Sequence, residues 1–356
     1  MKLNHETIVS WLQETDKEKL EELYTEANKI RKEMVGDEVH LRGLIEFSSY
    51  CSRKCTYCGL NSFRTDISRY RMNRNEILSC AKEAEEFGYG TVVLQSGEDY
   101  GITTTWMENL IQDIKNETSL AITLSLGERS DEELEIWRKA GADRYLLRFE
   151  TSNPELYQKI HPDVSDEKIG DRMTKLQTLR KLGYEVGSGV MIGIPGQTWD
   201  MLAQDIEMFK ELNLDMIGVG PFISHKDTPL GKKPEFAPQK QQVPNNEEMA
   251  YKVIALTRII CPKANIPSTT AIATLNKASG RENGLNRGAN ILMPNMTPRK
   301  YRALYEIYPA KACLDETSVE CRGCMSGRIK KIGRTIGKGR GDSKNHTKTA
   351  INQKVT

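Results

Sequence analysis

From Glu38 onward the chain repeats one unit, a short apolar run followed by a longer stretch of 3.6-residue periodicity, and this alternation constrains the fold more than any other feature. The runs that read as strands are Val39 to Phe47, Thr91 to Gln95, Ala121 to Leu126, Arg144 to Phe149, Glu185 to Ile192, Met216 to Gly220, Asn265 to Thr270 and Asn290 to Met293. Between them stand helical patterns such as EILSCAKEAEEFG, TTWMENLIQDIKN, SDEELEIWRKAG and TWDMLAQDIEMFKEL, several closed by the glycine that a helix C-terminus favours. Alternating strands and helices imply a parallel sheet, and eight such units close most simply into a (β/α)8 barrel of the TIM type. An open doubly wound sheet is the alternative. In both, ligands sit at the carboxyl ends of the strands, so the segments that follow the strands are where chemistry is expected.

Two helices precede the repeat, one from about His5 and one capped near Asp16 with Leu20, Leu23, Ala27 and Ile30 on one face. The expected organisation is a helical extension over residues 1–36, the barrel over 37–300, a cysteine-bearing segment over 301–330 and a tail over 331–356. That tail is basic, glycine-rich and without apolar periodicity, and is expected to be disordered. With 51 Lys and Arg against 49 Asp and Glu, the net charge of +2 favours a small-molecule substrate over nucleic acid or an anionic membrane. No apolar run has the length of a membrane span, and MKLNHETIVSWLQE reads as an amphipathic helix and not as a signal peptide, which predicts a cytoplasmic protein.

Eight cysteines in a chain read as cytoplasmic point to metal ligation and not to disulfides. Cys80 falls on the apolar face of a helix with Ile77 and Ala84, and Cys261 ends another before Pro262; both read as small buried hydrophobes. The other six form two groups. Cys51, Cys55 and Cys58 have C-x3-C-x2-C spacing on the loop after the first strand, so three thiolates share one turn. A cubane [4Fe–4S] cluster usually takes four Cys; three leave one iron open to an external ligand. Zinc, with three Cys and a fourth ligand, is the rival, although the loop has neither paired C-x2-C knuckles nor a nearby His.

Cys51 to Gly59 resembles the signature of the radical S-adenosylmethionine (SAM) superfamily. Collinear motifs over about residues 35 to 325, among them TVVLQSGED, GADRYLLRFETSNPELY, GIPGQT, LDMIGVGPFISHKDTPL and YPAKAC, are most similar to the HydE family of [FeFe]-hydrogenase maturases, within the group that includes biotin synthase and methylornithine synthase. The resemblance implies an enzyme in which SAM binds the open iron and is cleaved to methionine and a 5′-deoxyadenosyl radical. It makes Tyr57 the residue that packs on the adenine, Gln95 and Ser96 the contacts of the methionine amine, and Ser125, Glu150 and Arg172 the ribose, amine and carboxylate contacts. Ile192 and the turn Gly193 to Gly196 would pass the adenine. Catalysis would rest on Cys51, Cys55, Cys58 and Arg148, with a substrate cavity lined by Thr123, Arg148, Thr269, Thr270, Met293, Tyr305 and Tyr308 and suited to a small anionic or organometallic substrate.

Cys313, Cys321 and Cys324, spaced C-x7-C-x2-C in a polar segment, match the place where the same family carries an auxiliary [2Fe–2S] or [4Fe–4S] cluster; zinc and an empty, oxidisable site stay open. The implied partners are an electron donor such as ferredoxin or flavodoxin and other hydrogenase maturases. Two further functions compete with maturation: a carbon-skeleton mutase on lysine, like methylornithine synthase, and a non-catalytic Fe–S carrier.

Overall fold

The computed structural model describes residues 3–162 and 172–346. Among the described residues there are eight parallel strands: β1 Glu38–Ser48, β2 Thr91–Ser96, β3 Ala121–Ser125, β4 Arg144–Leu146, β5 Glu185–Ile192, β6 Met216–Pro221, β7 Ile291–Leu292 and β8 Thr335–Ile336. The sheet runs β6-β5-β4-β3-β2-β1-β7, and β8 pairs with the start of β1. The space between β6 and β7 is spanned by an extended segment that bridges Asn265 to Met216 and Pro267 to Ile291, so the ring closes as the (β/α)8 reading expects.

This segment is also where the expected strand Asn265 to Thr270 fails. Pro267 has no N–H to give a ladder, and Thr269 already stands at the N-terminus of the short helix Thr270–Leu275. The fourth strand ends earlier than expected for another reason. Beyond Leu146 a serine intervenes: Ser188 Oγ donates to Leu147 O (2.8 Å) and accepts from Phe149 N (3.2 Å), replacing the ladder.

Alternation along the strands decides the two sides of the barrel wall. On β1, Arg42, Leu44 and Glu46 face the interior cavity, whereas Ile45 and Phe47 face outward into the core shared with the helices. The helices Arg74–Glu86, Thr104–Glu117, Asp131–Ala140 and Trp199–Glu211 present Ile77, Met107, Leu134 and Ile206 to that core. Cys80 is buried there as expected, while Cys261 is only partly buried at a helix end. The two N-terminal helices, His5–Gln13 and Lys17–Val35, pack on Trp199–Glu211 and Glu247–Ile260, and Asp16 caps the second by accepting from Glu18 N and Lys19 N.

The tail corrects an expectation. Residues 331–346 are ordered and cross the amino end of the barrel; the expectation for 347–356 lies outside the described residues. Arg340 O accepts from Thr91 Oγ1 (2.8 Å) and Arg144 Nη2 (3.0 Å), and Asp342 Oδ1 pairs with the same Arg144 (2.5 Å). Gly341 O accepts from Arg42 Nη2 (3.1 Å) and Asn265 Nδ2 (3.0 Å). The segment is held by carbonyls and charges that satisfy buried arginines, a kind of order that a search for apolar periodicity does not register.

Candidate functional site

The cysteine loop leaves β1 and is fixed from several directions. Arg69 donates to the carbonyls of Ser49, Leu60, Asn61 and Arg64, closing the loop on itself. Ser52 N donates to Glu98 O, Thr56 N to Ile160 O and Gly59 N to Ile307 O, which tie it to three neighbouring segments. The close approach needs a glycine opposite: a Cβ on Gly97 would lie 2.2 Å from Tyr50 O and 2.7 Å from Cys51 Cβ.

Cys51, Cys55 and Cys58 all line one cavity of about 360 Å³ at the carboxyl end of the strands. Burial raises all three thiols, Cys55 to about 12 and Cys58 well above the ordinary thiol range. Thiolates in such a place need a strongly cationic partner, which is the chemistry of an iron–sulfur cluster ligand. Among the described residues no three His, Cys, Asp or Glu side chains are gathered tightly enough to hold one metal ion.

The strand ends bring the other expected residues to the same cavity: Gln95, Ser96, Thr123, Ser125, Arg148, Glu150, Arg172, Thr269, Thr270, Met293, Tyr305 and Tyr308 line it, and so does Tyr57. Ile192 does not; its side chain is buried in the outer core, and Met191 is the β5 side chain that faces inward. Glu150 sits in the left-handed region, φ +64°, four residues beyond the end of β4, a strained conformation that tends to persist at functional sites. Arg148 Nη2 lies 2.9 Å from Glu150 Oε2 but is aimed at Val190 O, to which it donates at 2.6 Å. Glu150 Oε2, Arg148 Nε and Thr123 Oγ1 are buried without a hydrogen-bond partner. Three unspent polar atoms on one wall are what a site for a polar ligand leaves open.

Arg172, on the cavity wall, also bonds within the protein. Its Nε donates to Glu128 Oε1 (2.8 Å) and its Nη1 to Arg148 O (2.6 Å), and Arg53 Nη2 donates to the same Glu128 oxygen (3.2 Å). Tyr57 Oη lies 3.2 Å from His161 Nε2, with the two rings edge to face. Tyr305 Oη accepts from Gln95 Nε2 (3.3 Å), and Thr269 Oγ1 donates to Val219 O (3.2 Å).

Sequence reasoning missed Arg42, Glu46, Arg53, Glu98 and Lys311, which also line the cavity. Glu46 and Lys311 form an ion pair with side chains only 2% and 3% exposed. The first signal was available: a Glu inside the apolar run GLIEFSS, at period two from Arg42, must face inward or be stranded in the core.

Cys313, Cys321 and Cys324 lie outside this cavity. Cys321 and Cys324 share a face of the helix Ser318–Lys331, and Cys313, with φ +66°, precedes it. The Cys321 thiol, by hydrogen bonding, and Arg281 lower Cys313 below the ordinary thiol range, while Cys321 is pushed up. Cys324 is exposed, with Arg328 Nε 3.3 Å from its sulfur.

Comparison with known proteins agrees with this geometry. The profile of the Radical SAM superfamily matches residues 45–209. The [FeFe] hydrogenase maturase subunit HydE of Thermotoga maritima is 46% identical over 91% of this chain and 89% of its own length. A 3-methylornithine synthase of Methanosarcina acetivorans is 31% identical over 77% of this chain and 74% of its own. Among solved structures, methylornithine synthase (PylB) superposes with a TM-score of 0.79 at 26% identity, covering 95% of each chain.

Proposed function

This chain belongs to the radical SAM superfamily, and from that premise we propose that it is a HydE-like enzyme that cleaves SAM reductively in the assembly of an [FeFe]-hydrogenase di-iron site. The observation that carries the reading is the convergence of Cys51, Cys55 and Cys58 with the unspent atoms of Thr123, Arg148 and Glu150 on one cavity. A [4Fe–4S] cluster held by the three cysteines would supply the electron for cleavage of the sulfonium. The chain's own part is to bind and to exclude water. Glu150 Oε2 is placed to accept from an ammonium or ribose hydroxyl, and Tyr57 offers a ring beside His161 for the adenine. Arg148, with Nε unspent, suits a carboxylate or comparable anion of the substrate.

Maturation is favoured over a lysine mutase by the 46% identity to HydE against 31% to the methylornithine synthase, and by the second cysteine group, which we read as an auxiliary Fe–S site. A small electron carrier, ferredoxin or flavodoxin, and the other maturases are the expected partners, in the cytoplasm. Among the described residues no helix is long and apolar enough to cross a membrane.

The test is anaerobic reconstitution. The reduced protein should show a [4Fe–4S] EPR signal that changes on addition of SAM, and Cys58→Ser should abolish 5′-deoxyadenosine formation. Undiminished cleavage by that variant, zinc in place of iron in anaerobically purified protein, or conversion of lysine to methylornithine by the wild type would each overturn the proposal.

A further inference from the structure

Asp205 lies on the helix Trp199–Glu211, one layer behind the cavity, and is fully buried. Only neutral donors compensate it among the described residues: Ser152 N (2.5 Å), Ser152 Oγ (2.7 Å) and Thr151 Oγ1 (3.3 Å) donate to Oδ1, and Gln197 Nε2 donates to Oδ2 (3.2 Å). Burial pushes this carboxyl up to about 7 in spite of those donors. A helix that had only to pack would place an aliphatic residue here, because a buried carboxyl without a cation is costly.

What the carboxylate holds explains its presence. Thr151 and Ser152 directly follow Glu150, the residue at φ +64° whose Oε2 is left open toward the cavity. Gln197, also fully buried, turns its other face to β5: Oε1 accepts from Gly193 N (2.7 Å), and Nε2 donates to Met191 O (3.2 Å). Met191 N in turn donates to Glu150 O (3.1 Å). One closed circuit therefore joins the ends of β4 and β5, and both strand ends reach the cavity through Glu150 and Met191. Asp205 holds the Glu150 side of this circuit and Gln197 the Gly193 side, and the bond between them joins the two.

We propose that Asp205, acting through Gln197, is the positioning residue of the SAM site, locking the Glu150 turn and the Gly193–Gly196 turn in one register. The inference rests on reading the cavity as a SAM site. It assigns Asp205 no contact with SAM, so its loss should weaken binding without disabling the saturated enzyme.

The donor–acceptor pattern makes a sharp test possible. Asp205→Asn sets an amide NH2 against Gln197 Nε2, two donors face to face. Equilibrium binding of SAM to reconstituted, oxidised protein should weaken by about tenfold, the size expected for one or two buried hydrogen bonds. KM for SAM should follow, with kcat within about twofold of wild type. Amide hydrogen exchange at Ser152, Gly193 and Ile194, measured without ligand, should accelerate in the variant. Should Asp205→Asn fail to fold, Ser152→Ala removes a single donor and should still weaken SAM binding. Unchanged SAM affinity in Asp205→Asn or in Ser152→Ala overturns the inference. A wild type that binds no SAM would overturn the reading of the cavity itself, and the exchange data taken without ligand keep that failure distinct.

Discussion

The Glu46–Lys311 pair offers a quantitative test of how the cavity wall is built. Lys311 Nζ donates to Glu46 Oε1 and to Tyr305 O (3.3 Å), and Glu46 Oε2 accepts from Asn295 Nδ2 (3.1 Å). In Lys311→Met the aliphatic stem keeps its volume while the carboxylate is left with Asn295 alone. With side chains 2% and 3% exposed, the pair has little water to fall back on, so the single variant should lose about 3–5 kcal/mol. That is a large fraction of the about 5–15 kcal/mol that stabilises a typical domain. Adding Glu46→Gln removes the uncompensated charge and keeps the bond to Asn295; the double variant should come back to within about 1–2 kcal/mol of wild type, a recovery of about 2–3 kcal/mol relative to Lys311→Met. Urea unfolding of cluster-free protein under reducing, anaerobic conditions, followed by circular dichroism, measures all four corners of the cycle. A single variant within about 1 kcal/mol of wild type, or a double variant as unstable as the single, would refute the claim that the two charges are desolvated and mutually dependent.

Arg148→Ala should leave uncoupled SAM cleavage nearly intact while eliminating turnover of a cysteine-derived iron carbonyl precursor and, in cells, hydrogenase maturation; unaffected maturation removes Arg148 from the substrate site. Replacing Cys313, Cys321 and Cys324 together with Ser should lower bound iron but spare SAM cleavage, because none of the three lines the cavity; loss of cleavage in a folded variant contradicts their peripheral role. Truncation after Ile332 strips the fully buried Arg144 of Asp342 and of the Arg340 carbonyl. Because Arg144 keeps Glu185 at 3.0 Å, the truncation should cost about 1–3 kcal/mol in the same urea assay, and a midpoint equal to that of the full chain would show that the tail does not close the barrel in solution.

The strands that could be read from sequence are those in which one face is apolar and the other meets the cavity, as in β1, β2, β3, β5 and β6. Reading failed where a side chain took over a backbone task. Ser188 ends β4 by bonding Leu147 and Phe149, and Pro267 reduces the seventh stave to isolated bridges. Within the site, the cysteines were legible because three ligands lie on one turn. Arg53, Glu98 and Glu128 were not, since the ion pairs that link them are made only when separate loops meet at the top of the barrel. Order in the tail was missed because its fixing groups are main-chain carbonyls, which every sequence possesses.

The charges on the cavity wall also bear on the kind of ligand it can take. Arg42, Arg53, Arg148, Arg172 and Lys311 face Glu46, Glu98 and Glu150, five cations against three carboxylates. Lys311 is matched by Glu46, and Arg53 and Arg172 share Glu128, which stands behind the wall. Arg148 pairs with Glu150 at 2.9 Å at the cavity's upper end, and Arg42 lies 4.0 Å from the buried Glu185 at its floor, where Met216 Sδ and the Gly341 carbonyl take its donors. A cubane bound by three thiolates is net negative and would add anionic charge to this wall. A zwitterion whose ammonium meets Glu150 would free Arg148 for an anion, so that each charge keeps a partner in a low-dielectric interior. Two ligands of that description would match the reaction proposed above, in which SAM supplies the radical and a separate anionic molecule receives it.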